Sequence, residues 1–253
     1  MRVVFLGTGT SQGVPVIGCR CGICRSADPR DHRLRSSVLI EEAGTSLVID
    51  CGPDFRQQML REGIGRLDAV LITHGHKDHT GGLDDIRSFN FLQRKPMAVY
   101  CGGEVLKGIR SEFSYAFADD PYPGVPQFDL HEIGTEVFEV GPFQVQPITV
   151  QHGSLPVLGF RFGSFTYITD ASYIPPASME LARGSEVIVL NALRTREHYS
   201  HFNLSQALEV LEALEPRKAY LTHIGHQMGR YEDIRPLLPS WADLAWDGLE
   251  LSL

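Results

Sequence analysis

The run His74-Gly75-His76-Lys77-Asp78-His79 constrains this chain more than any other feature. It follows the apolar, β-branched stretch Leu67–Thr73, which reads as a buried strand. Four metal-competent side chains, His74, His76, Asp78 and His79, therefore fall within six residues at a strand's end. A glycine-containing loop leaving a strand can splay neighbouring side chains in different directions. Two histidines and an Asp-His pair can then serve two separate ions rather than crowd one. The bland alternative is a solvated histidine-rich turn; the H-x-H-x-D-H pattern favours a metal site.

Bulk properties narrow the class. The 253 residues, 43% hydrophobic and 21% charged, suit a globular α/β protein, read here as one domain over residues 1–253. No stretch approaches the length of a membrane span, and the start, Met1–Thr8, reads as a first strand rather than a signal peptide. A net charge of −8 argues against a broad platform for long nucleic acid. It leaves room for a small anionic substrate, because bound divalent ions would reverse the local field. Five cysteines with clustered spacing favour reduced thiols and metal binding over a disulfide framework, and hence a cytoplasmic location.

Apolar runs of strand character recur at Val3–Leu6, Ser37–Ile40, Ser46–Asp50, Ala69–Thr73, Met97–Tyr100, Phe143–Val150, Gly159–Phe162, Phe165–Thr169, Glu186–Leu190, Lys218–Thr222 and Leu244–Leu251. Several are continuous rather than alternating, as expected for strands covered on both faces. Helical patterns lie between them at Asp54–Glu62, Gly82–Phe91, Glu104–Phe117, Ser178–Ala182, Leu204–Leu214 and Tyr231–Leu238. Asn203 is a plausible N-cap, with Gln206 three residues on and Pro216 beyond the end. Asp247-Gly248 reads as a hairpin turn, and the proline-rich Asp119–Gln127 as a surface loop. The pattern predicts an α/β sandwich with mixed sheets.

Further donors follow strands in the same way: His152, Asp170 and His223. Taken singly, each is a capping or core polar residue as readily as a ligand. Taken in order with the histidine cluster, H-x-H-x-D-H … His … Asp … His resembles the metallo-β-lactamase superfamily along the whole chain. That resemblance implies a four-layer αββα sandwich with metals at the sheet edges. It implies one ion held by His74, His76 and His152, a second held by Asp78, His79 and His223, and Asp170 bridging the two. Two such ions about 3.5–4 Å apart can hold a bridging hydroxide and clamp a phosphodiester for in-line attack. Manganese, zinc and iron all suit these donors. Asp50 resembles the family's strand-end aspartate, which orients a ligating histidine; its other reading is a turn residue.

A narrower resemblance lies in Gly7-Thr-Gly-Thr-Ser-Gln-Gly13 followed by Cys19-x-Cys21-x2-Cys24. It is similar to the cyclic phosphodiesterases of the carbon–phosphorus lyase pathway, in which three cysteines and a late histidine bind a structural zinc. The matching histidine is His226; free thiols beside a solvent-facing histidine are the alternative. Three thiolates at this spacing can wrap one tetrahedral ion and leave a fourth position to fill. The glycine loop lacks the Lys-Ser/Thr of a P-loop and reads as a tight turn beside the metals. Cys51 and Cys101 read as small apolar side chains, and His32 and His131 as surface residues in loops. His201, just before a helix N-terminus, resembles a histidine placed beside the scissile phosphate in related phosphodiesterases, and Phe202-Asn203-Leu204 selects it over His198.

The expected activity is metal-dependent hydrolysis of a small phosphodiester, such as a cyclic ribose phosphate or nucleotide diester, with His201 and Asp78 catalytic. The family likeness also implies a homodimer. Two alternatives stand beside it: a transfer-RNA 3′-processing type of nuclease, which lacks its usual basic arm here, and a non-catalytic zinc-dependent accessory protein of cofactor biosynthesis.

Overall fold

The computed structural model describes all residues, Met1–Leu253. The strands are β1 (Arg2–Gly7), β2 (Ser37–Glu42), β3 (Thr45–Ile49), β4 (Ala69–Leu71), β5 (Met97–Cys101), β6 (Phe128–Glu132), β7 (Phe138–Val140), β8 (Phe143–His152), β9 (Leu155–Phe162), β10 (Phe165–Ile168), β11 (Val187–Asn191), β12 (Lys218–Thr222), β13 (Ala242–Leu244) and β14 (Glu250–Ser252). The helices are α1 (Phe55–Arg61), α2 (Lys77–Thr80), α3 (Arg87–Gln93), α4 (Gly103–Glu112), α5 (Pro176–Ala182), α6 (Leu204–Leu214) and α7 (Tyr231–Ile234). None is long and apolar enough to cross a membrane.

Two seven-stranded sheets result, in the orders β14-β1-β2-β3-β4-β5-β6 and β13-β12-β11-β10-β9-β8-β7. Each has an antiparallel part and a parallel run, β3 to β6 in one and β10 to β13 in the other. Parallel neighbours need crossovers, and these carry the helices. The crossovers also send every parallel strand the same way, so their C-terminal ends share one edge of the molecule.

The continuous apolar strands are explained by three separate cores. Val3 and Phe5 of β1 point between the sheets, where they meet Phe160, Tyr167 and Val189 of the other sheet. Val4 and Leu6, on the opposite face, pack under Phe55, Met59 and Phe89 of α1 and α3. In the second sheet Ile188 and Leu190 face Ala207, Leu211 and Ile234 of α6 and α7. Helix, sheet, sheet, helix is the four-layer αββα sandwich that the resemblance implies.

Several local expectations change. The run Leu244–Leu251 is not a hairpin: β13 ends in the second sheet and β14 joins β1 in the first, so Asp247-Gly248 carries the chain across the sandwich. The patterns at Gly82–Phe91 and Glu104–Phe117 each divide into a 3-10 turn and an α-helix. His131 lies in β6, stacked 4.6 Å from Tyr100, rather than in a loop. The predicted cap of α6 is present as a full capping box between Asn203 and Gln206.

Candidate metal centre

Every donor of the histidine and aspartate cluster lies just beyond, or at the last residue of, a strand on the shared edge, apart from those further along the loop after β4. Asp50 leaves β3, His74–His79 follow β4, His152 ends β8, Asp170 leaves β10, and His223 leaves β12. Asp50, Asp170 and His223 all take left-handed backbone, with φ of 65°, 59° and 55°. Such conformations cost a non-glycine residue about 1–3 kcal/mol and concentrate at functional sites. Here they end each strand abruptly at the edge where the donors gather.

The loop after β3 is laced to the histidine loop. The Cys51 N–H donates to the His79 carbonyl and the Gly82 N–H to the Cys51 carbonyl, both at 2.8 Å. A Cβ on Gly52 would lie 2.1 Å from the Asp78 carbonyl oxygen, so only glycine permits this approach.

The donors converge as the sequence implies. His74, His76 and His152 form one group, and Asp78, His79, Asp170 and His223 another, with the ligand atoms of each group within 4.8 Å of one another. His74 Nε2 lies 2.9 Å from His76 Nδ1. Asp170 spans the second group, its Oδ2 3.2 Å from His79 Nε2 and its Oδ1 3.2 Å from His223 Nε2. Asp78 Oδ2 is 3.2 Å and 3.5 Å from the same two nitrogens.

Partners behind the imidazoles fix which nitrogen faces the centre. Thr73 Oγ1 donates to Asp50 at 2.9 Å, which leaves it to accept from His74 Nδ1–H at 3.0 Å. His79 Nδ1–H donates to Asp50 Oδ2 at 2.6 Å, and His152 Nδ1–H to the Ser200 carbonyl at 2.7 Å. The Nε2 lone pairs of His74, His79 and His152 are thereby freed for a cation. Asp50 lies where the resemblance places it, against His79 Nδ1. Thr73 and Ser200 were not singled out from the sequence; position beside His74 was the only signal for Thr73, and Ser200 acts through its backbone, which no side chain announces.

Charge reinforces the arrangement. Burial pushes the Asp78 and Asp170 carboxyls up, yet His79 and His223 hold both well below the usual carboxylate range. Burial opposes a charge on His79, but Asp50 and Asp170 raise its pKa well above the ordinary histidine value, so a proton and a metal cation compete for its Nε2. Burial, with His79 adding to it, holds His74 well below that value. His79 Nε2 and both nitrogens of His223 are buried without a hydrogen-bond partner. Orphaned buried nitrogens beside ionised carboxylates are costly in isolation and suit a bound cation. The residues fit divalent metal.

His201 stands beside this cluster, its ring 4.5 Å from that of His152 and 4.9 Å from that of His223. Its buried Nδ1 has no partner and lies 3.6 Å from Asp170 Oδ1. Burial, and then the neighbouring His223, hold its pKa at about 3. His198 is farther out, 5.2 Å from His201 ring to ring.

A second cluster forms where the cysteine loop meets the segment after β12. The sulfurs of Cys19, Cys21 and Cys24 lie 3.4, 3.5 and 3.4 Å from His226 Nδ1. A tetrahedral zinc with ordinary bond lengths would separate sulfur and nitrogen by about 3.5 Å. The Cys24 backbone N–H, against the opposing effect of burial, pulls the Cys21 thiol down to about 6. Cys51 and Cys101 are fully buried, as expected of apolar fillers. The glycine loop runs alongside: the Ile224 N–H donates to the Thr8 carbonyl and the Thr10 N–H to the Ile224 carbonyl.

The fold and these donors define a class. The Beta-lactamase superfamily domain matches residues 45–224, and the chain belongs to the metallo-β-lactamase superfamily. Among solved structures it is similar to a diphosphatase from the PhnP family, 39% identical, with a TM-score of 0.93 over 100% of this chain and 97% of that one. The zinc-bound PqqB of Methylobacterium extorquens shares the fold at 20% identity, with a TM-score of 0.82 over the full length of both chains. Among curated proteins the chain is 41% identical over 253 residues to a Porphyromonas gingivalis protein named Octanoyltransferase, covering 99% of this chain and 51% of that one. The chain spans about half the length, or less, of the curated relatives it matches.

Proposed function

We propose that the protein is a metal-dependent hydrolase of a small phosphodiester, the cyclic ribose and nucleotide diesters being the first candidates. Its two working ions, manganese or zinc, would be held by His74, His76 and His152 and by Asp78, His79 and His223, with Asp170 between them. A structural zinc would occupy Cys19, Cys21, Cys24 and His226. The observation that carries this reading is Asp170, whose two oxygens reach different histidines of a cluster of orphaned nitrogens. The proposal includes a small substrate rather than long nucleic acid, a cytoplasmic location and a homodimer.

Bound divalent ions would supply Lewis acidity toward a phosphoryl oxygen and a lowered pKa for water. The chain's residues do the rest. Asp50, Thr73 and the Ser200 carbonyl hold three imidazoles in one tautomer, and Asp78 and Asp170 remain ionised throughout the neutral range. His201 is neutral at pH 7 before substrate arrives and stands at the rim of the cluster. There it can contact a phosphoryl oxygen and manage the proton of the departing oxygen. Reaction at phosphorus is supported by the 39% identity to a diphosphatase. The name of the Porphyromonas relative describes a chain about twice as long, half of it outside the match, and carries no reading here.

The test is metal content by inductively coupled plasma analysis alongside hydrolysis of bis(p-nitrophenyl) phosphate with added manganese. About three ions per chain with turnover, abolished in Asp78→Ala and Asp170→Ala, is the expected result. One tightly held zinc with no turnover under any metal would replace this reading with the accessory-protein alternative.

A further inference from the structure

The functional reading above, on which this inference rests, leaves open what the phosphoryl group is attached to. A cavity of about 1020 Å³ opens from Thr73, His74 and His76, so one of its walls is the donor cluster itself. It runs between α4 and the β8–β9 hairpin, walled by Val105 and Ile109 of α4, Ile133 after β6, and Leu155 and Leu158 of β9. No arginine lines it. Its lysine is taken, since Lys77 pairs with Glu112, and Glu104 pairs with Lys107. The charged side chains of this wall are thus matched in pairs, and no cluster of cations is gathered there for a second phosphate.

Three of the five glycines of the wall point the same way, whereas a Cβ on Gly103 would meet Glu132. Gly108 lies inside α4, where glycine weakens a helix relative to alanine. Its backbone does not require glycine, because its φ is not positive, and a Cβ built there meets nothing within 4 Å. Gly102 and Gly134 line the cavity under the same two conditions. Gly102 is also the N-cap of α4, a position glycine favours; at Gly108 and Gly134 neither packing nor backbone geometry asks for glycine, and the missing side chain leaves the cavity open there.

We infer that this cavity receives an uncharged, apolar arm of the substrate. The substrate class is then a phosphodiester or phosphoanhydride with one apolar substituent on the His74–His76 side, rather than one carrying a further phosphate there. The cavity is in the size range that buries most of a metabolite-sized group.

The test is a series of alkyl p-nitrophenyl phosphates, from methyl through butyl to octyl, hydrolysed by the metal-loaded protein. The expected kcat/KM rises about three- to fourfold per methylene until the cavity is filled, as burial of each group contributes to binding. In Gly108→Leu the octyl-to-methyl ratio should fall by at least about tenfold, with no loss of melting temperature because leucine favours the helix. Gly134→Val should lower the same ratio from the opposite wall. Turnover with a flat series in the unmodified protein, or a steep series surviving in both variants, overturns the inference alone. No turnover of any member with any metal overturns the functional proposal as well.

Discussion

At the scale of single residues, the centre is governed by what stands behind each imidazole. Asp50 is fully buried and accepts from both Thr73 and His79, so one carboxylate sets two ring orientations. Asp50→Asn keeps the shape, removes the charge lying against His79 and turns one of the two accepting oxygens into an NH2 donor. Loss of such a partner typically costs about 10–100-fold in metal affinity or activity. That loss should appear as a higher manganese concentration for half-maximal turnover, and an unchanged titration would deny Asp50 its electrostatic role. His201 is a different case, because its Nδ1 lies within reach of His152 and Asp170 and the residue could serve as a ligand or as a substrate contact. As a substrate contact, His201→Ala should lower kcat by roughly 10²–10⁴ and leave the metal content intact. Loss of an ion from that variant would make it a ligand instead.

At the scale of elements, legibility followed burial. The runs Val3–Leu6, Ala69–Thr73 and Lys218–Thr222 are readable as strands because alternate residues enter two different apolar cores. β6 was not readable: Asp129, His131 and Glu132 interrupt its apolar pattern, as suits the edge of a sheet. β7 and α2, of three and four residues, are too short to show a period, and α2 owes its place to the backbone ties between Cys51, His79 and Gly82. The site was more legible than the elements, because donor chemistry survives in residue identity while a crossing such as Asp247-Gly248 depends on which sheet lies nearer. The cysteine loop shows this well: it has no helix or strand, Ile17 in it is 95% exposed, and its three sulfurs converge on His226. If Cys19, Cys21, Cys24 and His226 hold zinc as proposed, Cys24→Ser should lose it and make residues 16–26 sensitive to limited proteolysis, since binding energy at such sites is folding energy. His223 is separately held through Ile224 and Thr8, so turnover by the metal-loaded variant should fall by less than about tenfold. Zinc stoichiometry and a protease time course check the two parts.

At the scale of the whole molecule, the centre draws donors from both sheets, so the sheets must stay in register across the edge. Part of that register is kept where the chain crosses from β13 to β14. There Asp247 accepts from the Leu34 N–H at 2.7 Å and from Thr8 Oγ1 at 2.8 Å, while the buried Arg33 donates to Thr8 and to the Ala245 carbonyl. This knot joins the first sheet, the glycine loop beside His223 and the end of the second sheet. Burial pushes the Asp247 carboxyl up to about 6, against the hydrogen bonds from Leu34 and Thr8 and the charges of Arg61 and Arg33. The folded-state value therefore lies above that of an unfolded aspartate, about 3.9. Below the unfolded value the carboxyl is protonated in both states and its contribution to stability is fully present. As pH rises toward about 6 it ionises in the unfolded chain first, and up to about 3 kcal/mol of stability is lost. Asp50, which burial also pushes up, and His74, His76 and His201, which burial holds down, titrate across this window in both proteins and cancel in the difference between them. Asp247→Asn cannot ionise, so urea unfolding of the two proteins between pH 4 and 7 should give a stability difference that shifts in the variant's favour as pH rises. A difference independent of pH would mean that Asp247 is ionised in the knot and held there by Arg33 and Arg61.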